Sequence, residues 1–251
     1  MGKLYLGTTE IAPIILYDKP EMFGASIRTF FNEPDSNGYL QAPSRVTNVS
    51  FDGVLHITNT SLQYAFAGEK TNIQSISFPD LIDINGNHLL ESLCSGNTGL
   101  TEFYMPNVVS ISGDYTCDGM LLGTNVQSLV FEELVSISGT DTLRYFVKSS
   151  HIITVDFKKL SSLISSNSPF SGAFDDCRYL KDIYFRALTT NSFDDNYAFS
   201  GMFGRYSGHV FGVKVHFPSN LQTTVENLSG YPTFGGRSEN VQILFDLPAT
   251  E

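Results

Sequence analysis

The stretch FSGAFDDCRYLKDIYF, residues 170–185, contains the pattern that decides the fold. Its apolar residues first follow helical spacing, at Phe170 and Phe174, and then alternate, at Ile183 and Phe185. Neither one helix nor one strand has this pattern, which predicts a turn that leads into a short strand. The strand-like part, LKDIYF, recurs along the chain.

The recurring segment ends on a large apolar residue, the anchor of each copy. Five similar copies are VTNVSF (46–51), IQSISF (73–78), LTEFYM (100–105), VQSLVF (126–131) and IITVDF (152–157), and GVKVHF (212–217) and NVQILF (240–245) are looser. The anchors are Phe51, Phe78, Met105, Phe131, Phe157, Phe185, Phe217 and Phe245, separated by 27, 27, 26, 26, 28, 32 and 28 residues. Such a period predicts a β-rich solenoid of about eight coils with a parallel sheet on one face.

Further apolar residues recur after each anchor. They stand three and six residues later in the first five copies, as at Val54 and Ile57. A large apolar residue follows at about fifteen to eighteen residues, where we place the back of each coil: Phe66, Leu93, Met120, Phe146, Phe174, Phe203 and Phe234. One coil buries too little apolar surface to offset the entropy cost of ordering its backbone, so the coils must stack.

Two segments resemble the two halves of BspA-like leucine-rich repeats of bacterial and phage surface proteins. These segments are ISFPDLIDI (76–84) and AFDDCRYL (173–180), and the resemblance extends over about residues 46–247. It implies a leucine-rich-repeat solenoid. The present coils are longer than those of the family, and only Cys177 occupies the family's cysteine position.

Residues 1–38 lie outside the period, and we separate them from the solenoid at 39–251. KLYLGTTEIAPIILY (3–17) predicts a β-hairpin, and Met22, Phe23, Ile27, Phe30 and Phe31 predict a helical turn after it. One interpretation is a cap over the first coil. The other follows from KLYLGTTEIAPIIL (3–16), which resembles a segment common at the start of tailed-phage tail, baseplate and fibre proteins. That resemblance implies attachment to other virion proteins and allows a homotrimer.

Composition restricts the partners. The net charge is −11 with only 15 Lys and Arg, which argues against nucleic acid. No apolar run is long enough for a membrane span, so we predict no membrane insertion. The early apolar residues are interrupted by Gly7, Thr8, Thr9 and Glu10, and we therefore predict no signal peptide.

The three cysteines lack metal-site or disulfide spacing and are interpreted as core residues.

Catalytic and metal-binding motifs are missing from the sequence. It contains no G-x-S-x-G, Walker or HExxH motif and no metal-ligand spacing of histidines. We therefore predict no enzyme activity, no cofactor and no metal.

A binding face is predicted on the repeated strands. Residues three and one before each anchor point outward and form two ladders. Aromatic rings there could stack on sugars, and carboxylates could bind their hydroxyls. The candidate glycan-binding residues are Glu102, Tyr104, Asp156, Asp182, Tyr184, Lys214 and His216. The other interpretation is an ordinary solvated sheet face.

These observations favour a non-enzymatic phage virion protein, such as a fibre, baseplate or head-surface component, that binds a host glycan or protein. This hypothesis explains the N-terminal segment and the missing leader together. The alternatives are a BspA-like bacterial cell-surface adhesin whose leader has been removed, and a carbohydrate-active enzyme whose site is assembled across coils.

Overall fold

The chain forms a parallel β-solenoid of about seven turns with very little helix. This computed structural model describes residues 2–6, 9–14, 47–58, 62–68, 73–164, 168–193, 197–204, 212–235 and 240–250. Its strands are β1 Gly2–Leu6, β2 Thr9–Ile14, β3 Asn48–Asp52, β4 His56–Thr58, β5 Ser75–Ser77, β6 Asp83–Asn85, β7 Glu102–Tyr104, β8 Ser110–Ser112, β9 Ser128–Phe131, β10 Ser136–Ser138, β11 Thr154–Phe157, β12 Ser162–Ile164, β13 Asp182–Phe185, β14 Val213–Pro218 and β15 Val241–Leu247. A 3₁₀ helix, Ser219–Leu221, leads into the short helix α1, Gln222–Glu226.

Eight of these strands carry the repeated segments and lie on the front of the solenoid: β3, β5, β7, β9, β11, β13, β14 and β15. The residues two before each anchor point inward, as predicted from strand alternation, and the first seven are all buried. Eight front strands enclose seven complete turns, which agrees with the predicted solenoid of about eight coils.

The prediction of one sheet face was incomplete, because the solenoid has a second parallel sheet. Strands β4, β6, β8, β10 and β12 pair in this order. Each is centred on the apolar residue six positions after the anchor, such as Ile111 between Ser110 and Ser112. In β8 and β10 the sequence is Ser-Ile-Ser, a strand pattern of only three residues, from which the sequence analysis did not predict a strand.

The front strands form two sheets instead of one continuous ladder. The first front sheet has the order β2-β1-β3-β5-β7, and the second front sheet has the order β15-β14-β13-β11-β9. The predicted hairpin is present as antiparallel β1 and β2, and β1 pairs antiparallel with β3. The hairpin thus covers the edge of the first coil. The helical turn predicted from Met22 to Phe31 lies outside the described residues.

The turn segments on the back of the coils are also joined to one another. The amide of Leu62 donates to the carbonyl of Leu89 at 2.7 Å, and the amide of Leu90 donates to Thr116 at 2.7 Å. The same bond recurs from Cys117 to the Thr142 carbonyl, at 2.9 Å. Buried backbone groups need such partners, and here the next coil supplies them.

Phenylalanine rings stack through the interior. Phe51 stacks on Phe78 with centroids 4.5 Å apart, and Phe131 stacks on Phe157 at 5.0 Å. This column continues through Phe185. All the large residues predicted at the back of the coils are buried as well, and so are the three free cysteines. Burial raises the pKa of the Cys177 thiol to about 12.

A helix that crosses a bilayer must be long and apolar, and the described residues of this chain include the 3₁₀ helix and the short helix α1. No helix in this part of the chain meets both requirements.

The close approach of neighbouring coils leaves no space for a side chain at Gly139. Its φ is +109°, and a Cβ added there would lie 2.5 Å from the carbonyl oxygen of Gly113 in the preceding coil. Gly139→Ala should therefore lower the free energy of unfolding by about 2 kcal/mol or more. Equilibrium urea denaturation measures the loss.

Gly68→Ala is the matched control. Gly68 has a similar φ of +100°, but nothing lies within 4 Å of an added Cβ. The Gly68→Ala variant therefore measures the cost of backbone strain alone. Gly139→Ala should lower the free energy of unfolding by more, because it adds a steric clash to that strain. Equal losses would contradict the contribution of close coil stacking at Gly139.

Candidate functional site: a groove between the two front sheets

The front ladder is interrupted at Thr101 and Gln127. At the start of the other strands the amide donates to the coil before it: Thr101 donates to the Gln74 carbonyl at 2.9 Å, and Ile153 donates to the Gln127 carbonyl at 2.7 Å. The equivalent bond from the Gln127 amide to the Thr101 carbonyl is missing. Within the described residues neither group has a protein partner.

The interruption lies beside the third coil, where the sizes of the two inward side chains of the strand differ from those in the neighbouring coils. The inward position two before the anchor is Ile76 in the preceding coil and Leu129 in the following one, but it is Phe103 here. The anchor itself is Met105 where its neighbours have phenylalanine. Phe103 meets Phe78 in a tilted contact at 6.2 Å, so the parallel column of stacked rings is broken at this coil. We infer that the larger Phe103 ring holds β7 away from β9.

A groove of about 680 Å³ opens where the strands separate. Its lining includes the inward residues Ile76 and Phe103 together with polar residues of three coils: Ser75, Ser77, Thr101, Glu102, Gln127 and Ser128. Tyr104 lines it as well, and 55% of this residue is exposed. A concavity of this size, lined by polar and apolar groups together, is suited to a small ligand or to part of a chain.

Two of the predicted site residues, Glu102 and Tyr104, lie in this groove. Neither side chain has a hydrogen bond, ion pair or ring contact in the described part of the chain. The groove hydroxyls already interact with neighbours: Ser77 donates to Ser50 at 2.9 Å, and Ser128 lies 3.2 Å from Thr154. The Gln127 side chain is likewise without a partner among the described residues, so Glu102, Tyr104 and Gln127 are the groove side chains that remain available to a ligand.

The other predicted aromatic and acidic residues lie in the second front sheet, where they bind each other. Both ring nitrogens of His216 face carboxylates, with Nε2 3.1 Å from Asp182 and Nδ1 2.9 Å from Asp246. The imidazole also stacks on Tyr184 at 4.4 Å. The sequence analysis placed His216 on an exposed ladder, but only 7% of it is exposed because these three residues enclose it.

Asp156 and Tyr184 have a further partner that the sequence analysis missed. The Arg186 guanidinium donates to Asp156 at 2.7 Å and lies 4.5 Å from the centre of the Tyr184 ring. The hydrogen bond to Asp156 raises the pKa of Arg186. Desolvation, followed by the nearby charge of Asp182, raises the pKa of the Tyr184 hydroxyl.

Lys214 is the remaining predicted site residue. It is exposed on β14, and its backbone pairs with Asp182 and Gln242 in the neighbouring strands. The predicted residues thus fall into two groups, the groove pair and the second-front-sheet residues. In the described ranges no three His, Cys, Asp or Glu residues are grouped as metal ligands.

Comparisons of this chain with protein families, with curated proteins and with solved structures find no match. The groove must therefore be interpreted from its own chemistry.

A paired substitution tests the origin of the groove. Phe103→Ile with Met105→Phe restores the side-chain order of the neighbouring coils and should allow the anchor rings to stack. Each aromatic pair is worth about 0.5–1.5 kcal/mol beyond burial, so the urea midpoint should rise.

Met105→Phe alone is the control for this pair. With Phe103 still present, the added ring overpacks the coil and should cost about 1–3 kcal/mol. A double variant less stable than this single variant would show that the size exchange does not cause the interruption.

Proposed function

We propose that the protein is a non-enzymatic component of a phage virion, in a fibre, the baseplate or the head surface, and that the front groove binds a host surface glycan or protein. The observation that carries the proposal is the groove itself, in which the side chains of Glu102 and Tyr104 have no partner among the residues that the structure describes. The resemblance of residues 3–16 to tailed-phage virion proteins supports the virion setting.

The groove chemistry favours binding over hydrolysis. Glycoside hydrolysis ordinarily uses two carboxyl groups on either side of the scissile bond. Glu102 is the single carboxylate among the described residues that line the groove. The carboxylates of the second front sheet are held by Arg186 and His216, which supports a structural role for that face.

Binding to host cells tests the proposal. Fluorescently labelled protein should bind the bacteria that the encoding phage infects, and Tyr104→Ala should weaken binding about ten-fold because an exposed ring in the groove is lost. Flow cytometry over a concentration series gives the apparent Kd.

Tyr179→Ala is the matched control, because 53% of Tyr179 is exposed and it lies outside the groove, stacked on His151. This variant should bind like the wild type. Unchanged binding by Tyr104→Ala would reject the groove as the recognition surface.

Immunogold labelling with an antibody against the protein tests its location. We expect label on purified phage particles, whereas label confined to the bacterial surface would favour the adhesin alternative.

A further inference from the structure

We infer that the groove recognises an uncharged sugar unit and discriminates against acidic sugars and against cationic side chains. This inference rests on the proposed binding function and specifies its ligand. It follows from the donors, acceptors and charges that the interrupted ladder exposes.

The groove offers donors and acceptors together. In the part of the chain that the structure describes, the Gln127 backbone amide is a donor without an acceptor and the Thr101 carbonyl is an acceptor without a donor. The Glu102 carboxylate is a further acceptor, and the Tyr104 hydroxyl and the Gln127 side-chain amide can each donate and accept. A hydroxyl group both donates and accepts, so adjacent sugar hydroxyls can satisfy all of these groups.

Charged ligands satisfy only part of this set. An ammonium or guanidinium group has no acceptor atom, so it could not accept a hydrogen bond from the Gln127 backbone amide. A carboxylate, phosphate or sulfate group has no donor for the Thr101 carbonyl and would face the negative charge of Glu102. No Lys or Arg is among the described residues that line the groove, so nothing there compensates an anion.

The shape of the groove also fits a sugar ring. The exposed ring of Tyr104 follows the inward residue Phe103 along β7, so that a polar strand face borders an apolar floor. Sugars present C–H groups on one face and hydroxyls at the edge. Tyr104 can therefore stack on the C–H face while Glu102 and Gln127 bind the hydroxyls.

A glycan array probed with the full-length protein tests the inference. The array should carry neutral and N-acetylated oligosaccharides together with sialylated, uronate-containing and sulfated ones, and poly-lysine spots should represent cationic ligands. We expect binding to neutral or N-acetylated glycans and not to the acidic or cationic spots. Calorimetric titration with the strongest neutral glycan then gives Kd values for the variants.

Three variants and a salt series make the result decisive. Tyr104→Ala should weaken neutral-glycan binding by about ten-fold, and Tyr179→Ala should leave it unchanged. Glu102→Gln keeps an acceptor and should weaken binding by less than about ten-fold, whereas a cation would lose its counter-charge. Because the ligand is uncharged, Kd should change little between 0.05 and 0.5 M NaCl.

Each contrary result overturns the inference in a recognisable way. Binding confined to acidic glycans or to poly-lysine, or a Kd that weakens strongly with salt, would show that the ligand is charged. Neutral-glycan binding that is indifferent to Tyr104→Ala would place the sugar outside the groove. If no neutral glycan binds while host cells still bind in a Tyr104-dependent manner, the sugar assignment fails and the proposed function stands.

Discussion

Stacking of each coil on its neighbours is the constraint on which the rest of the structure depends. The recurring step of 26 to 28 residues between most anchors places one phenylalanine over another and one turn carbonyl beside the next turn amide. Both sides of a coil are therefore interfaces, and the buried backbone of one coil is satisfied by the next. The same closeness leaves no room for a side chain at Gly139, where an added Cβ would lie 2.5 Å from the Gly113 carbonyl oxygen.

The candidate site arises where this regularity is interrupted on one face only. Between the third and fourth coils the second sheet and the turn segments remain hydrogen-bonded, as at Ile111 with Ile137 and at Gly119 with Arg144, while β7 and β9 separate. A rigid scaffold thus holds an open edge with unpaired polar groups. Thr101 and Gln127 are exposed, so water can satisfy these groups in the free protein and a ligand can replace that water. In the second front sheet the ion pair of Arg186 with Asp156 and the contacts of His216 with Asp182 and Asp246 close the surface instead.

Much of this fold can be predicted from the sequence, because a repeat shows the same apolar pattern many times. The anchors, the inward positions and the buried back residues follow from that pattern. The second sheet was missed because Ser-Ile-Ser is too short to differ from a turn. The groove was missed although its signal, Phe and Met exchanged in LTEFYM, stands in the sequence, since its effect depends on side-chain volume in a packed core. The contact between His216 and Asp246 was not predicted, because it depends on the register between β14 and β15. The spacing of the two looser copies does not determine that register.

Hydrogen exchange at single amides in the ligand-free protein tests most directly whether the ladder is interrupted. Among the described residues the Gln127 amide has no acceptor, whereas the amides of Thr101 and Ile153 donate to the coils before them. We expect the Gln127 amide to exchange far faster than the amides of Thr101 and Ile153, because an unpaired amide at an open groove needs no opening of the structure. Protection of Gln127 equal to that of the other two amides would show a continuous front ladder and would contradict the account.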